Sequence, residues 1–130
     1  MRFLFILLTL TTAIFAEYKQ QPIDINLVNS KTKIIDIRTE PEWVETGLVK
    51  GSIPIMFFDE QGNYNIEKFL HQLNAVVKKN EQFALICNSG SRTQMVGRFL
   101  GDQLGYRVID LAGGTIYAKS KNIPFTPYKK

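Results

Sequence analysis

A single α/β domain, with a mostly parallel central sheet flanked by helices, is what this 130-residue sequence predicts. Three observations lead there. The runs Ile34–Ile37 and Phe83–Ile86 are apolar almost throughout, as strands are when helices cover both their faces. Between the strand runs lie stretches whose apolar residues recur at helical spacing. No repeat, linker or low-complexity segment divides the chain, and a 45% hydrophobic content over this length suits one compact core.

In chain order, Met1–Ala16 comes first: a basic start, a short apolar run, and a small residue just before the first acidic one at Glu17. That is the layout of a secretory leader cut after Ala16, which leaves residues 17–130 as the domain and sends it to a periplasmic or extracellular location. The run is short of the roughly 20 residues a spanning helix needs, so no stable membrane anchor is expected after cleavage. Losing Arg2 takes the formal charge from +4 to +3. Glu17–Gln21 is polar and expected to be loosely held, and the alternation of Ile23, Ile25 and Leu27 predicts a short strand.

Ile34–Ile37 is the first buried parallel strand, apolar except for Asp36. Pro41 opens a helical turn carrying Glu42, Trp43 and Val44 that stops at Gly47. Leu48–Phe58 reads as loop and strand, with Pro54 requiring an edge or a bend. After an exposed turn at Asp59–Asn63, Asn65 caps an amphipathic helix with Ile66, Phe69, Leu70, Leu73, Val76 and Val77 on one stripe and a stop near Asn80. Phe83–Ile86 is the central strand. The next helix carries Met95, Val96, Phe99, Leu100 and Leu104 on its apolar side, and Gly97 and Gly101, four apart, let a neighbour approach closely before Gly105 ends it. Val108–Leu111 is the last strand, and Gly114–Lys121 forms a short final helix.

The chemistry concentrates at residues 87–93. Cys87, the only cysteine, stands where the central strand stops, and Asn88, Ser89, Gly90, Ser91, Arg92 and Thr93 lead into a helix N-terminus. Backbone N–H groups and the positive end of the helix dipole converge there and favour the reactive thiolate over the thiol. In an exported chain one cysteine forms no internal disulfide, so the thiol is reactive, pairs between molecules, or is buried and inert. In open α/β sheets sites form beyond the carboxyl ends of strands, which also brings Arg38 and Ala112–Gly113 toward the crevice.

The loop, a cysteine, two residues, a glycine, one residue, an arginine and a hydroxyl residue, resembles the active-site loop of single-domain rhodanese-like sulfurtransferases. Asp36-Ile37-Arg38 with Glu42, Trp43 and Gly47 resembles that family's early aspartate–arginine strand, and Leu111–Gly114 with Asn122-Ile123-Pro124 resembles its double glycine and closing turn. The blocks run in the family's order from about Thr32 to Thr126. Gly47-Leu48-Val49 stands where the family commonly has glycine-histidine-isoleucine, and Tyr117 where it often has tryptophan.

The resemblance implies sulfane sulfur moved through a Cys87 persulfide, from a small donor such as thiosulfate or polysulfide to a thiol or cyanide acceptor, or to a protein sulfur acceptor. The N–H groups of Asn88 through Arg92 would surround the sulfur, and Ser89, Ser91 and Thr93 would add hydroxyls. Arg92 either binds a sulfonate or pairs with Asp36, since a planar guanidinium suits both. Asp36 and Arg38 would support the loop. The alternative is a non-catalytic sulfur carrier or protein-binding module of the same fold.

Other chemistries fit less well. A cysteine phosphatase holds its oxyanion in a similar cradle, but by resemblance its loop has five residues between cysteine and arginine where this chain has four, Asn88–Ser91. His71, the single histidine, falls off the apolar stripe of its helix, which disfavours histidine-assisted cysteine chemistry, and one cysteine with one histidine completes no zinc set. No cofactor is called for. The mild positive charge has no arginine-rich helix or aromatic–basic interleaving, so no nucleic-acid partner is expected.

Overall fold

The structure, a computed structural model, describes residues 17–130; the leader read at Met1–Ala16 lies outside the described residues. Strands β1 (Glu17–Gln21), β2 (Ile34–Asp36), β4 (Ile53–Pro54), β5 (Gln82–Ile86) and β6 (Arg107–Leu111) form one sheet in the order β1-β6-β5-β2-β4, every pairing parallel. A small antiparallel pair, β3 (Leu48–Val49) with β7 (Phe125–Thr126), closes the chain's end onto its middle. The helices are α1 (Ile25–Val28), α2 (Glu40–Thr46), α3 (Ile66–Asn74), α4 (Ser91–Arg98) and α5 (Gly114–Ser120). No described helix is long and apolar enough to cross a membrane.

The α/β reading holds because β2, β5 and β6 are buried on both faces. One face packs Ile35, Phe83, Leu85 and Val108 under Phe69, Leu73, Val96 and Leu100; the other packs Ile34, Ala84, Ile86, Ile109 and Leu111 against Leu27, Ala118 and Ile123. Pro54 takes the sheet edge, where its missing N–H costs no ladder bond.

Four expectations are corrected. Glu17–Gln21 is ordered as an edge strand: its backbone pairs along β6, and its polar side chains find a buried partner. The Tyr18 hydroxyl donates to Asp110 Oδ2 at 2.6 Å and Gln20 Nε2 donates to the same oxygen at 3.1 Å. Burial, then the hydrogen bond to Asp110, pushes the Tyr18 phenol up to about 12. The Ile23/Ile25/Leu27 alternation belongs to a helical turn. Asp24 Oδ1 accepts from Leu27 N at 2.8 Å, so Ile23 and Leu27, four apart, face inward while Ile25 is exposed.

The α3 helix starts at the Asn65 cap as expected but ends at Asn74, short of Asn80. The N–H groups of Val76 and Val77 both turn back to the carbonyl of Leu73, and the Tyr106 hydroxyl seizes the Asn74 side chain at 2.6 Å. On α4 the stripe is real but excludes Met95, which is 63% exposed. Beyond Arg98 the helix widens into a π turn over Phe99–Gln103, with Leu104 N on Phe99 O at 3.3 Å.

The Gly97/Gly101 expectation stands, and β1 is the neighbour. A Cβ on Gly97 would lie 2.9 Å from Tyr18 Cε2, and one on Gly101 would lie 3.0 Å from Tyr18 Cβ. The Tyr18 side chain therefore fills a notch that only glycines leave open.

Candidate active site

The strand order places β5 in the middle of the sheet, so Cys87 emerges at the carboxyl end of the central strand. Gly90 turns the chain there with φ 100°, a left-handed conformation suited to glycine, and its missing side chain matters twice: a Cβ would sit 3.0 Å from Gly113 N. The loop is clamped from the other side by α5, whose first N–H groups bond back to it: Thr115 N to Cys87 O at 2.8 Å and Ile116 N to Asn88 O at 3.1 Å. Gly114, with φ +58°, fits against the Cys87 and Asn88 carbonyls so closely that any Cβ there would collide with both oxygens. The double glycine thus exists to let α5 dock on the cysteine loop.

Around the sulfur the arrangement is sparser than the sequence reading expected. Gly90 N donates to Cys87 Sγ at 3.2 Å, and Thr93 Oγ1 lies 3.6 Å from it. No hydrogen bond joins Sγ to the N–H groups of Asn88, Ser89, Ser91 or Arg92. Ser89 and Ser91 are exposed and face each other across 3.4 Å, and the Asn88 side chain bonds Thr115. Helix α4 begins at Ser91, and Gln94 N, the first of its amides with a helical partner, returns to Gly90 O. Cys87 itself is 0% exposed and packs into the core with Leu85, Val96 and Val108. The sulfur is under the loop rather than open in a crevice.

Arg92 does not pair with Asp36. Its two terminal nitrogens donate to the two carboxylate oxygens of Glu42, both at 2.7 Å, in a fork-to-fork geometry. The Arg92 hydrogen bonds hold the Glu42 carboxyl down at about 2, against an ordinary 4.5, and the Glu42 bonds raise Arg92 in turn.

Asp36 is taken by Arg38, and both are 0% exposed. Arg38 Nε and Nη2 donate to the Asp36 carboxylate at 2.8–3.1 Å, Trp43 Nε1 donates to Asp36 Oδ1 at 3.1 Å, and the rest of the Arg38 fork reaches Thr46 Oγ1 and Gly47 O. Arg38 therefore ties the end of β2 to the C-terminal end of α2. Its support of the loop is indirect, passing through α2 to Glu42 and from there to Arg92.

The sequence places Glu42 in the turn after Pro41 but gives it no role beside the cysteine loop, where the structure puts it. A signal was present: Thr39 and Glu42 form a capping box, in which the glutamate bonds back to the helix start and is thereby fixed in direction. Tyr18 and Asp110 had no such signal, because a polar edge strand looks like a loop until its partner is known. Asp110 is 0% exposed, and its Oδ1 has no protein partner.

Two surface grooves flank Phe57. One, of about 430 Å³, is lined by Trp43, Met56, Asp59, Tyr64 and Lys68; the other, of about 470 Å³, by Phe58, Tyr64, Met95, Val96 and Phe99. Cys87 lines neither. No cluster of potential metal ligands occurs among the described residues.

The rhodanese-like domain family profile matches residues 16–116. Among curated proteins, the mitochondrial protein HIGH ARSENIC CONTENT 1 of Arabidopsis thaliana is 33% identical over 61 residues, which is 46% of this chain and 36% of that protein. The chain thus matches only about a third of that relative's length. Among solved structures, the rhodanese-like domain of an Anabaena protein aligns with TM-score 0.60 at 16% identity, over 77% of this chain and 68% of that one. A rhodanese-like domain protein of Staphylococcus aureus aligns with TM-score 0.57 at 22% identity, over 78% of this chain and 88% of its own. At these identities the structural matches speak for the fold.

Proposed function

Because this chain belongs to the rhodanese-like domain family, within the sulfurtransferase superfamily, we propose that it carries sulfane sulfur as a persulfide on Cys87. With thiosulfate, the Cys87 thiolate attacks the outer sulfur. A sulfur–sulfur bond forms at Sγ, the bond to the sulfonate sulfur breaks, and sulfite leaves with its electron pair. A thiolate or cyanide then attacks the outer sulfur of the persulfide, taking it as a new persulfide or thiocyanate, and the Cys87 thiolate returns. These are two half-reactions with a covalent intermediate, the kinetic pattern called ping-pong.

The observation that carries this reading is the Gly90 N–H donating to Cys87 Sγ at 3.2 Å from a loop locked onto α5 by the double glycine. A donor fixed on the sulfur stabilises an anion there without a dedicated base. Polysulfide and a partner protein's persulfide are further donors of the same chemistry.

A second reading, a carrier or binding module without turnover, is favoured by one specific fact: Cys87 is 0% exposed beneath its loop. Intact mass spectrometry separates the two. The transfer reading expects the protein to gain one sulfur from thiosulfate, to lose it to cyanide, and to gain nothing as Cys87→Ser. Protein with a free thiol that takes no sulfur from any donor leaves only the binding module. The same spectrum tests the exported location proposed from Met1–Ala16, since protein recovered from outside the cytoplasm would begin at Glu17, the first residue of β1.

A further inference from the structure

At the start of α4, five residues after Cys87, the Arg92 guanidinium already faces a carboxylate across two parallel hydrogen bonds. One N–H of each terminal nitrogen is given to Glu42 in a fork-to-fork pair, and the pair is only partly exposed, at 26% and 28% of the side-chain surfaces. Glu42 is also anchored from its own side: Thr39 N and Oγ1 donate to its Oε1 at 3.3 and 3.0 Å as part of the α2 capping box. A sulfonate approaching Arg92 therefore meets a carboxylate that neither its own helix nor its partner readily releases.

We propose that Glu42 is a specificity-determining residue of this site, occupying the arginine fork and so biasing Cys87 toward sulfane donors that carry no sulfonate, such as alkyl hydropersulfides, over thiosulfate. The inference rests on the persulfide reading above and deepens it. A sulfonate donor must either displace the carboxylate or place its charge beside it on one guanidinium, and like charges so close are strongly unfavourable. Protonation offers no way out near neutral pH, because Arg92 holds the Glu42 carboxyl at about 2. An alkyl hydropersulfide makes no claim on the fork. The Cys87 thiolate attacks its outer sulfur, the donor's sulfur–sulfur bond breaks, and an alkyl thiolate leaves with the electron pair.

Glu42→Gln tests this with little structural disturbance, since glutamine keeps the acceptor that completes the capping box. The full chain, as wild type, Glu42→Gln, Arg92→Gln and the double variant, is loaded from thiosulfate and from the hydropersulfide of 2-mercaptoethanol, and the rate of sulfur gain on Cys87 is followed by intact mass against donor concentration. Glu42→Gln should load from thiosulfate on the order of tenfold more efficiently, mainly through a lower half-saturating concentration, the value of about one charge-assisted hydrogen bond regained by the donor. Its loading from the hydropersulfide should stay within about twofold, and adding Arg92→Gln should erase the thiosulfate gain. Unchanged thiosulfate loading in Glu42→Gln overturns the proposal. So does an equal gain with both donors, which would mean the loop had simply loosened, or a gain that survives without Arg92. If no variant takes sulfur from either donor, the persulfide reading falls and this inference falls with it.

Discussion

Arg38→Met removes a guanidinium from the interior and leaves its carboxylate behind. Arg38 and Asp36 are both 0% exposed, and the arginine makes three side-chain hydrogen bonds to Asp36 and one each to Thr46 Oγ1 and Gly47 O. Methionine fills much of the same space but donates nothing. Asp36 then keeps only the Arg38 amide at 3.0 Å and the Trp43 indole at 3.1 Å. Removing one partner of a buried pair costs about 3–5 kcal/mol, because the survivor's charge is stranded away from water. Set against a total stability of about 5–15 kcal/mol for a domain, that is a large share. For a domain of this size it corresponds to a fall in Tm of roughly 10–25 °C.

Thermal and urea unfolding followed by circular dichroism would measure the loss. Asp36→Leu added to Arg38→Met should restore much of it, since an apolar pair of similar volume strands no charge. The reasoning is refuted if Arg38→Met alone unfolds within about 1 kcal/mol of wild type, a cost too small for a stranded interior carboxylate. A double variant no more stable than the single one would refute it equally. The outcome also bears on function, because this pair fixes the α2 helix that presents Glu42 to Arg92.

Two further outcomes follow from single contacts. Gly97→Leu should destabilise by about 1–3 kcal/mol, since even a Cβ there would stand 2.9 Å from a Tyr18 ring pinned through its hydroxyl to Asp110. Tyr18→Ala in the same chain should relieve part of that clash, and additive losses in the unfolding cycle would show that the ring is not the obstacle. In acid, the Glu42–Arg92 tie should fail in a defined window. The Glu42 carboxyl is at about 2 when folded against an ordinary 4.5, so the unfolded chain binds the extra proton between those values, and the tie's contribution is complete above about 4.5 and fades as pH falls toward 2. Glu42→Gln should flatten the stability-against-pH curve in that window; an unchanged slope would assign the acid sensitivity elsewhere.

Parallel strands without alternation, the Asn65 cap, the Gly97/Gly101 pair and the cysteine loop were all legible because each is a local pattern. A strand buried on both faces must be apolar along its length, and a cap must sit a fixed three residues from the amide it satisfies. The polar edge strand Glu17–Gln21 and the Ile23–Leu27 turn are not legible, for the same reason in reverse. Their side chains answer to partners some 90 residues away or to a short helix that alternation imitates.

The chain by itself determined that a lone thiol would stand at the end of a central strand, followed by a glycine turn, a helix start and an arginine. Tertiary packing alone decided that this arginine would close on Glu42, that Asp36 would be claimed by Arg38, and that one amide would reach the sulfur. Charged side chains choose among several partners of equal chemistry, and only the folded backbone brings one of them to 2.7 Å while turning the others away.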